Sequence, residues 1–135
     1  MAPTQTHGYS DKPLYQKLGL KPGHRLLAID PPSNYDALID GADGVVAAKG
    51  REKADVVHLF CANRAALDKS VDKALARVAD GGMLWISWPK KSSKLFVDLT
   101  EDQLREVVLP KGWVDVKVCA VDADWSGLKF LRRKT

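Results

Sequence analysis

The sequence is short of the residue types on which many site chemistries depend. Only two of its 135 residues are cysteine, Cys61 and Cys119, and both lie inside apolar runs. No Cys-x-x-Cys occurs, and the histidines (His7, His24 and His58) sit in separate segments. Neither a disulfide framework nor a zinc site is therefore expected, and no metal ligand is assigned. Free thiols are the expectation for a reducing compartment, so the chain reads as cytoplasmic. No apolar stretch is long enough to span a bilayer, and "MAPTQTHGYS" has no signal-like apolar core. Long blocks of one charge are absent as well. The 21 Lys and Arg are interleaved with 17 Asp and Glu, for a net charge of +4. That balance permits an anionic partner, but nucleic acid is not the expected one.

What is present is an alternation of strands and helices. Residues 1–9 read as a mobile lead-in, and residues 10–135 as one domain. "SDKPLYQKLG" predicts a first helix with Ser10 or Asp11 as cap, Pro13 in its first turn and Gly19 at its end. The unalternating run Leu26–Ile29 reads as a strand buried on both faces. A short helix ending near Gly41 follows. Two more strands come next, "GVVAAKG" and "ADVVHLFCA". Helical spacing of apolar residues predicts a long helix over Asn63–Ala79, stopped by Gly81–Gly82. "MLWISW" is the fourth strand, and Thr100 caps another helix that ends over Pro110–Gly112. In "WVDVKVCAVD", Val114, Val116, Val118 and Ala120 should share one face. "DADWSG" then turns the chain into "LKFLRR". The expectation is an α/β, Rossmann-like three-layer domain with a mostly parallel sheet and a C-terminal antiparallel hairpin.

Ligands of such sheets meet the carboxyl ends of the strands. The sequence puts Asp30–Tyr35, Lys49, Cys61, Asn63, Arg64, Trp88–Lys94 and Asp122–Ser126 at that edge. Lysines and hydroxyls after the fourth strand suit a phosphate or carboxylate. The ligand-binding candidates are Asn34, Trp88, Lys90, Lys91, Ser92, Asp122 and Trp125, with no residue assigned to catalysis. Cys61 has no base placed by any motif and reads as structural. Trp85 and Trp88, three apart on one strand, point to opposite faces. Trp85 packs under a helix, and Trp88 sits in the core or roofs a pocket. Asp122, Asp124 and Ser126 read as turn chemistry. "LRRKT" reads as a solvated end, with Lys129, Arg132 and Arg133 protecting a sixth strand at the sheet edge.

Two segments carry a first resemblance. "LKPGHRLLAIDPPSN" and "VADGGMLWIS" resemble the starts of the first and fourth strands of S-adenosylmethionine-dependent methyltransferases. The resemblance implies their fold and an S-adenosylmethionine site at the loop after the first strand. Asp30, Pro32 and Asn34 stand where that family has three glycines, and Ala28 stands where it has an acid. Pro31 and Pro32 remove two backbone donors. No acid ends the second strand, although Asp43 and Glu52 flank it. No cofactor is therefore expected, and S-adenosylmethionine is disfavoured.

A second resemblance runs end to end. "GYSDKPL", "LGLKPG", "WISWPKK", "DVKVCAVD" and "WSGLKF" are similar to segments of a small bacterial family, domain of unknown function 3052. That resemblance implies the fold and no activity. The expected function is a non-catalytic protein binding a small anionic molecule or a protein partner at the strand ends. The alternatives are an atypical S-adenosylmethionine-dependent methyltransferase and a homodimeric interaction module without a ligand.

Overall fold

The computed structural model describes residues 12–134. The proposed lead-in and the Ser10 or Asp11 cap lie outside them. The chain runs α1 (Leu14–Leu18), β1 (Arg25–Ile29), α2 (Tyr35–Leu38), β2 (Val46–Ala47), β3 (Ala54–Phe60), α3 (Arg64–Ala76), β4 (Val78–Pro89), α4 (Glu101–Val108), a 3-10 turn (Leu109–Lys111), β5 (Trp113–Ala120) and β6 (Trp125–Arg132). One six-stranded sheet has the order β2-β1-β3-β4-β6-β5. β2, β1, β3 and β4 are parallel, and β6 runs antiparallel to both β4 and β5. This is the mixed α/β domain with a closing hairpin that the alternation predicts.

Side-chain alternation splits the core in two. On one face Val57, Leu59, Leu84, Ile86, Leu128 and Phe130 pack with α3 and α4 through Leu67, Val71, Leu104 and Val108. On the other, Leu26, Val56, Phe60 and Trp85 pack with Leu14 and Leu18 of α1 and Tyr35 of α2. Trp85 is fully buried there, and its indole N–H donates to the Leu18 carbonyl at 3.0 Å. Trp88 points to the α3/α4 face and is 6% exposed.

Several boundaries differ from the sequence expectation. α3 stops at Ala76, because Val78 already pairs with Ala54 as a strand residue. Gly81 and Gly82 are thus not a helix stop. They lie in an irregularity of β4, between the pairs Ala54↔Val78 and Val56↔Met83. The hairpin turn is shorter than "DADWSG". The Asp122 carboxylate accepts from the Asp124 and Trp125 amides, both at 2.8 Å, so Trp125 is already in β6. β6 is an interior strand, and the edge is β5. The four-residue alternation in β5 fails because a bulge falls between Asp115 and Lys117, leaving Val114, Val116 and Val118 exposed. Nor is the tail free. Arg132 donates to the Val78 carbonyl at 2.9 Å and lies 4.9 Å from the centre of the Trp113 ring. Arg133 donates to the Leu109 carbonyl at 3.1 Å.

Candidate functional site

Strand order reverses direction between β1 and β3, so a ligand crevice is expected above their carboxyl ends. Asp30 follows the end of β1, and its φ of 54° is the one left-handed torsion among the described non-glycine residues. Asp tolerates that region better than most residues. Pro31 and Pro32 follow, and the Pro32 carbonyl accepts from the Tyr35 amide at 3.1 Å. Cys61 follows the end of β3, near Asp30. Burial, reinforced by Asp30, pushes the Cys61 thiol up to about 12. It is fully buried and stays protonated, which removes it as a nucleophile.

Below this crevice runs a buried polar chain. The Tyr35 hydroxyl lies 2.9 Å from His58 Nδ1, and His58 Nε2 lies 2.6 Å from the Ser87 hydroxyl. His58 also stacks on Phe60 with ring centres 4.3 Å apart. Burial holds its pKa down at about 3, so the imidazole is neutral. Burial likewise raises the Tyr35 pKa. A serine bonded to a neutral histidine has the composition of a nucleophile and its base, but His58 and Ser87 are both fully buried and no substrate reaches them. The chain ties the start of α2 to β3 and β4. Gly127 leaves it room, since a Cβ there would stand 3.3 Å from Ser87 Oγ. No motif marks these three residues. The legible signal is a histidine in the middle of an apolar strand.

Among the described residues, two surface cavities bear on the site. One, of about 580 Å³, follows β1 and β2 beneath α2. Its floor includes Leu26, Ala28, Ala47 and Ile39, and its rim includes Asp36, Asp40 and Asp43. The other, of about 400 Å³, lies between the end of β4 and the start of α4. It is lined by Trp88, Lys90, Lys91, Thr100, Glu101, Asp102 and Ser126. Both volumes are in the range of small-molecule sites.

The second cavity brings together Trp88, Lys90 and Lys91 of the expected site. Asn34, Ser92, Asp122 and Trp125 do not line it. Asn34 is exposed at the start of α2, and Ser92 is exposed on the loop. Asp122 closes the hairpin turn. Trp125 packs edge-on against Phe60, with ring centres 5.1 Å apart, on the face opposite Trp88. The loop and the turn do meet. The Lys90 amide donates to the Asp124 carbonyl at 2.8 Å, and Ser93 Oγ to the Asp124 carboxylate at 2.9 Å. Glu101 and Asp102 were not anticipated as wall residues. Both bond to Arg105, which also holds Asp115 at 2.9 Å. Among the described residues no cluster of three or more His, Cys, Asp or Glu could hold a metal ion, and no helix is long and apolar enough to cross a membrane.

No protein-family model and no curated protein matches the sequence, so the likeness to domain of unknown function 3052 rests on the quoted segments alone. Solved structures do match. The chain is similar to DhpI in complex with SAH at 12% identity, with a TM-score of 0.58 over 91% of this chain and 83% of that one. It is similar to a SAM-dependent methyltransferase from Aquifex aeolicus at 14% identity, TM-score 0.58, over 87% and 86%. It is also similar to the fibrillarin pre-rRNA processing protein of Methanococcus jannaschii at 13% identity, TM-score 0.55, over 95% and 72%. At these identities the likeness establishes a methyltransferase-like, Rossmann-like fold.

Proposed function

We propose that the chain is an atypical S-adenosylmethionine-dependent methyltransferase that holds its cofactor without a glycine-rich loop. The observation that carries this reading is the cavity of about 580 Å³ along β1, β2 and α2, in a fold shared with proteins solved with SAM or SAH. Its residues fit the adenosyl and cationic parts of that cofactor. Leu26, Ala28, Ala47 and Ile39 offer an apolar floor to a planar base. Asp36, Asp40 and Asp43 offer carboxylates to ribose hydroxyls and to positive charge. Asp30 supplies the left-handed turn that a glycine would otherwise provide. When bound, the cofactor supplies an electrophilic methyl group. The chain's part is to bind and orient it.

The test is a thermal-shift titration with S-adenosylmethionine and S-adenosylhomocysteine, followed by calorimetry. At 100 times its dissociation constant a ligand adds about 2.7 kcal/mol, which is several degrees for a domain of this size. Asp36→Asn with Asp40→Asn should weaken the response. A flat response to both compounds would sink the reading.

A second reading, a non-catalytic protein binding a small anion at the strand ends, is favoured by Lys90 and Lys91 standing over Trp88 and Ser126 in the smaller cavity. Glu101 and Asp102 line the same cavity, and Arg105 supplies their counter-charge. A phosphate-dependent shift lost in Lys90→Ala with Lys91→Ala would support it, with the response to S-adenosylmethionine absent.

A further inference from the structure

The bulge in β5 creates a juxtaposition that regular pairing would avoid. Before it, Val114 pairs with Leu131 and Asp115 with Phe130; after it, Lys117 pairs with Lys129 and Val118 with Leu128. Val116 is the extra residue. Were Val116 paired in a regular ladder, it would face Lys129, and Lys117 would stand opposite Leu128 on the α3/α4 side. With Val116 bulged out, Lys117 stands directly across from Lys129 on the α1/α2 side, where Lys129 neighbours Trp85. Opposed residues of an antiparallel pair are close enough to interact, and like charges there are destabilising. Bulges persist where they re-aim a side chain.

Among the described residues neither Lys117 nor Lys129 makes an ion pair. Lys129 is half-buried, and its pKa is lowered first by burial and then by Lys117. A third lysine arrives from α1. Lys17 donates to the Ala120 carbonyl at 3.3 Å, and Lys17 and Lys117 both act on the Cys119 thiol between them. Edge protection accounts for Lys117, since β5 is the edge strand. It does not account for Lys129, which lies on an interior strand and needs no such protection.

We propose that Lys117 and Lys129, with Lys17 at the margin, form a phosphate-recognition site on the open face of the β5–β6 hairpin. A bridging phosphate supplies the missing counter-charge to two ammonium groups at once. The phosphate belongs either to a small free molecule or to a nucleic-acid backbone, and the two arms of the test separate these sources. The site is independent of the function proposed above, since neither cavity includes these lysines.

The probes are inorganic pyrophosphate and a twelve-nucleotide single-stranded RNA, each titrated into the full chain. The informative variant is Lys117→Glu, which replaces the repulsion with an ion pair to Lys129. It should melt at a higher temperature than wild type in plain buffer, which also shows that it folds. Pyrophosphate or the RNA should bind wild type at least tenfold more tightly than this variant. Pyrophosphate binding that survives Lys117→Glu and is lost in Lys90→Ala with Lys91→Ala would assign the anion to the smaller cavity and overturn the proposal. Pyrophosphate binding assigns a small phosphate ligand. Binding of the RNA alone, with affinity falling steeply with salt, assigns the backbone. If neither probe binds, or if Lys117→Glu binds within twofold of wild type, the proposal is wrong.

Discussion

The two faces of the sheet are covered in different ways. Over one lie α3, with 13 residues, and α4, with eight; both carry side-chain caps, and the core beneath is mostly aliphatic. Over the other lie α1, with five residues, and α2, with four, neither with a side-chain cap. Helices that short have little stability of their own and depend on tertiary contacts. The contacts are correspondingly specific: an indole bonded to the end of α1, and a tyrosine–histidine–serine chain bonded to the start of α2. Short cover also leaves strand surface open, and the larger cavity lies there. The cavity proposed for the cofactor therefore lies on the face whose helical cover is shortest.

The largest expected effect tests whether that face hangs on a few large groups. Trp85→Ala removes a fully buried ring and the donor to the Leu18 carbonyl. It should cost about 3–5 kcal/mol, more than Leu104→Ala on the opposite face, for which the range begins at about 2 kcal/mol. Trp85→Phe keeps most of the ring and should cost about 1–3 kcal/mol, chiefly for the unsatisfied carbonyl. Chemical denaturation of the three variants decides the matter. A Leu104→Ala cost exceeding that of Trp85→Ala would break the contrast.

The next effect concerns the polar chain. His58→Phe fits an aromatic ring against Phe60 but strands the Tyr35 and Ser87 hydroxyls, at a cost of about 1–3 kcal/mol for each buried group left without a partner. Adding Tyr35→Phe and Ser87→Ala should recover most of that loss. A triple variant no more stable than the single one would show that the hydrogen bonds are incidental. The chain also predicts a pH dependence. The folded-state pKa of His58 is lowered from 6.5 to about 3, so the unfolded chain takes up the proton first. Its contribution is complete above pH 6.5 and is lost as pH falls toward 3, by up to about 1.4 kcal/mol per pH unit. The difference between the stability curves of wild type and His58→Phe isolates this slope, which should be absent from the variant.

The same contrast explains what was legible in the sequence. Strand existence and sheet direction were written in the apolar runs, and Asn63 and Thr100 marked the starts of the two capped helices. The lysine loop could be placed at the strand ends because alternation fixes that edge, and Trp88, Lys90 and Lys91 do share a cavity. Asn34, Asp122 and Trp125 could not be excluded from that cavity, because topology gives an edge and not a face. β5 was misread because one extra residue, Val116, inverts the alternation, and a bulge leaves no composition signal. His58 was passed over because its partners are 23 and 29 residues away in the chain.

The smallest expected effect compares two asparagines in the same local position on opposite faces. Asn63 starts α3, and its side chain accepts from the Ala66 amide at 2.8 Å. Asn34 starts α2 with φ −94° and ψ 18°, outside the extended region of a capping residue, and its side chain makes no cap bond. Asn63→Ala should therefore cost about 1 kcal/mol, with Asn63→Asp close to neutral. Asn34→Ala should stay within about 0.5 kcal/mol of wild type, as an exposed substitution away from any such feature does. Melting curves of the variants read both values directly. Equal costs would mean that α2 is capped in solution as α3 is, and that the thin face is better built than its helices imply. A silent Asn34→Ala in stability that nonetheless weakens the response to S-adenosylmethionine would put this side chain on the ligand, at the edge where β1 ends and the uncapped start of α2 leaves it available.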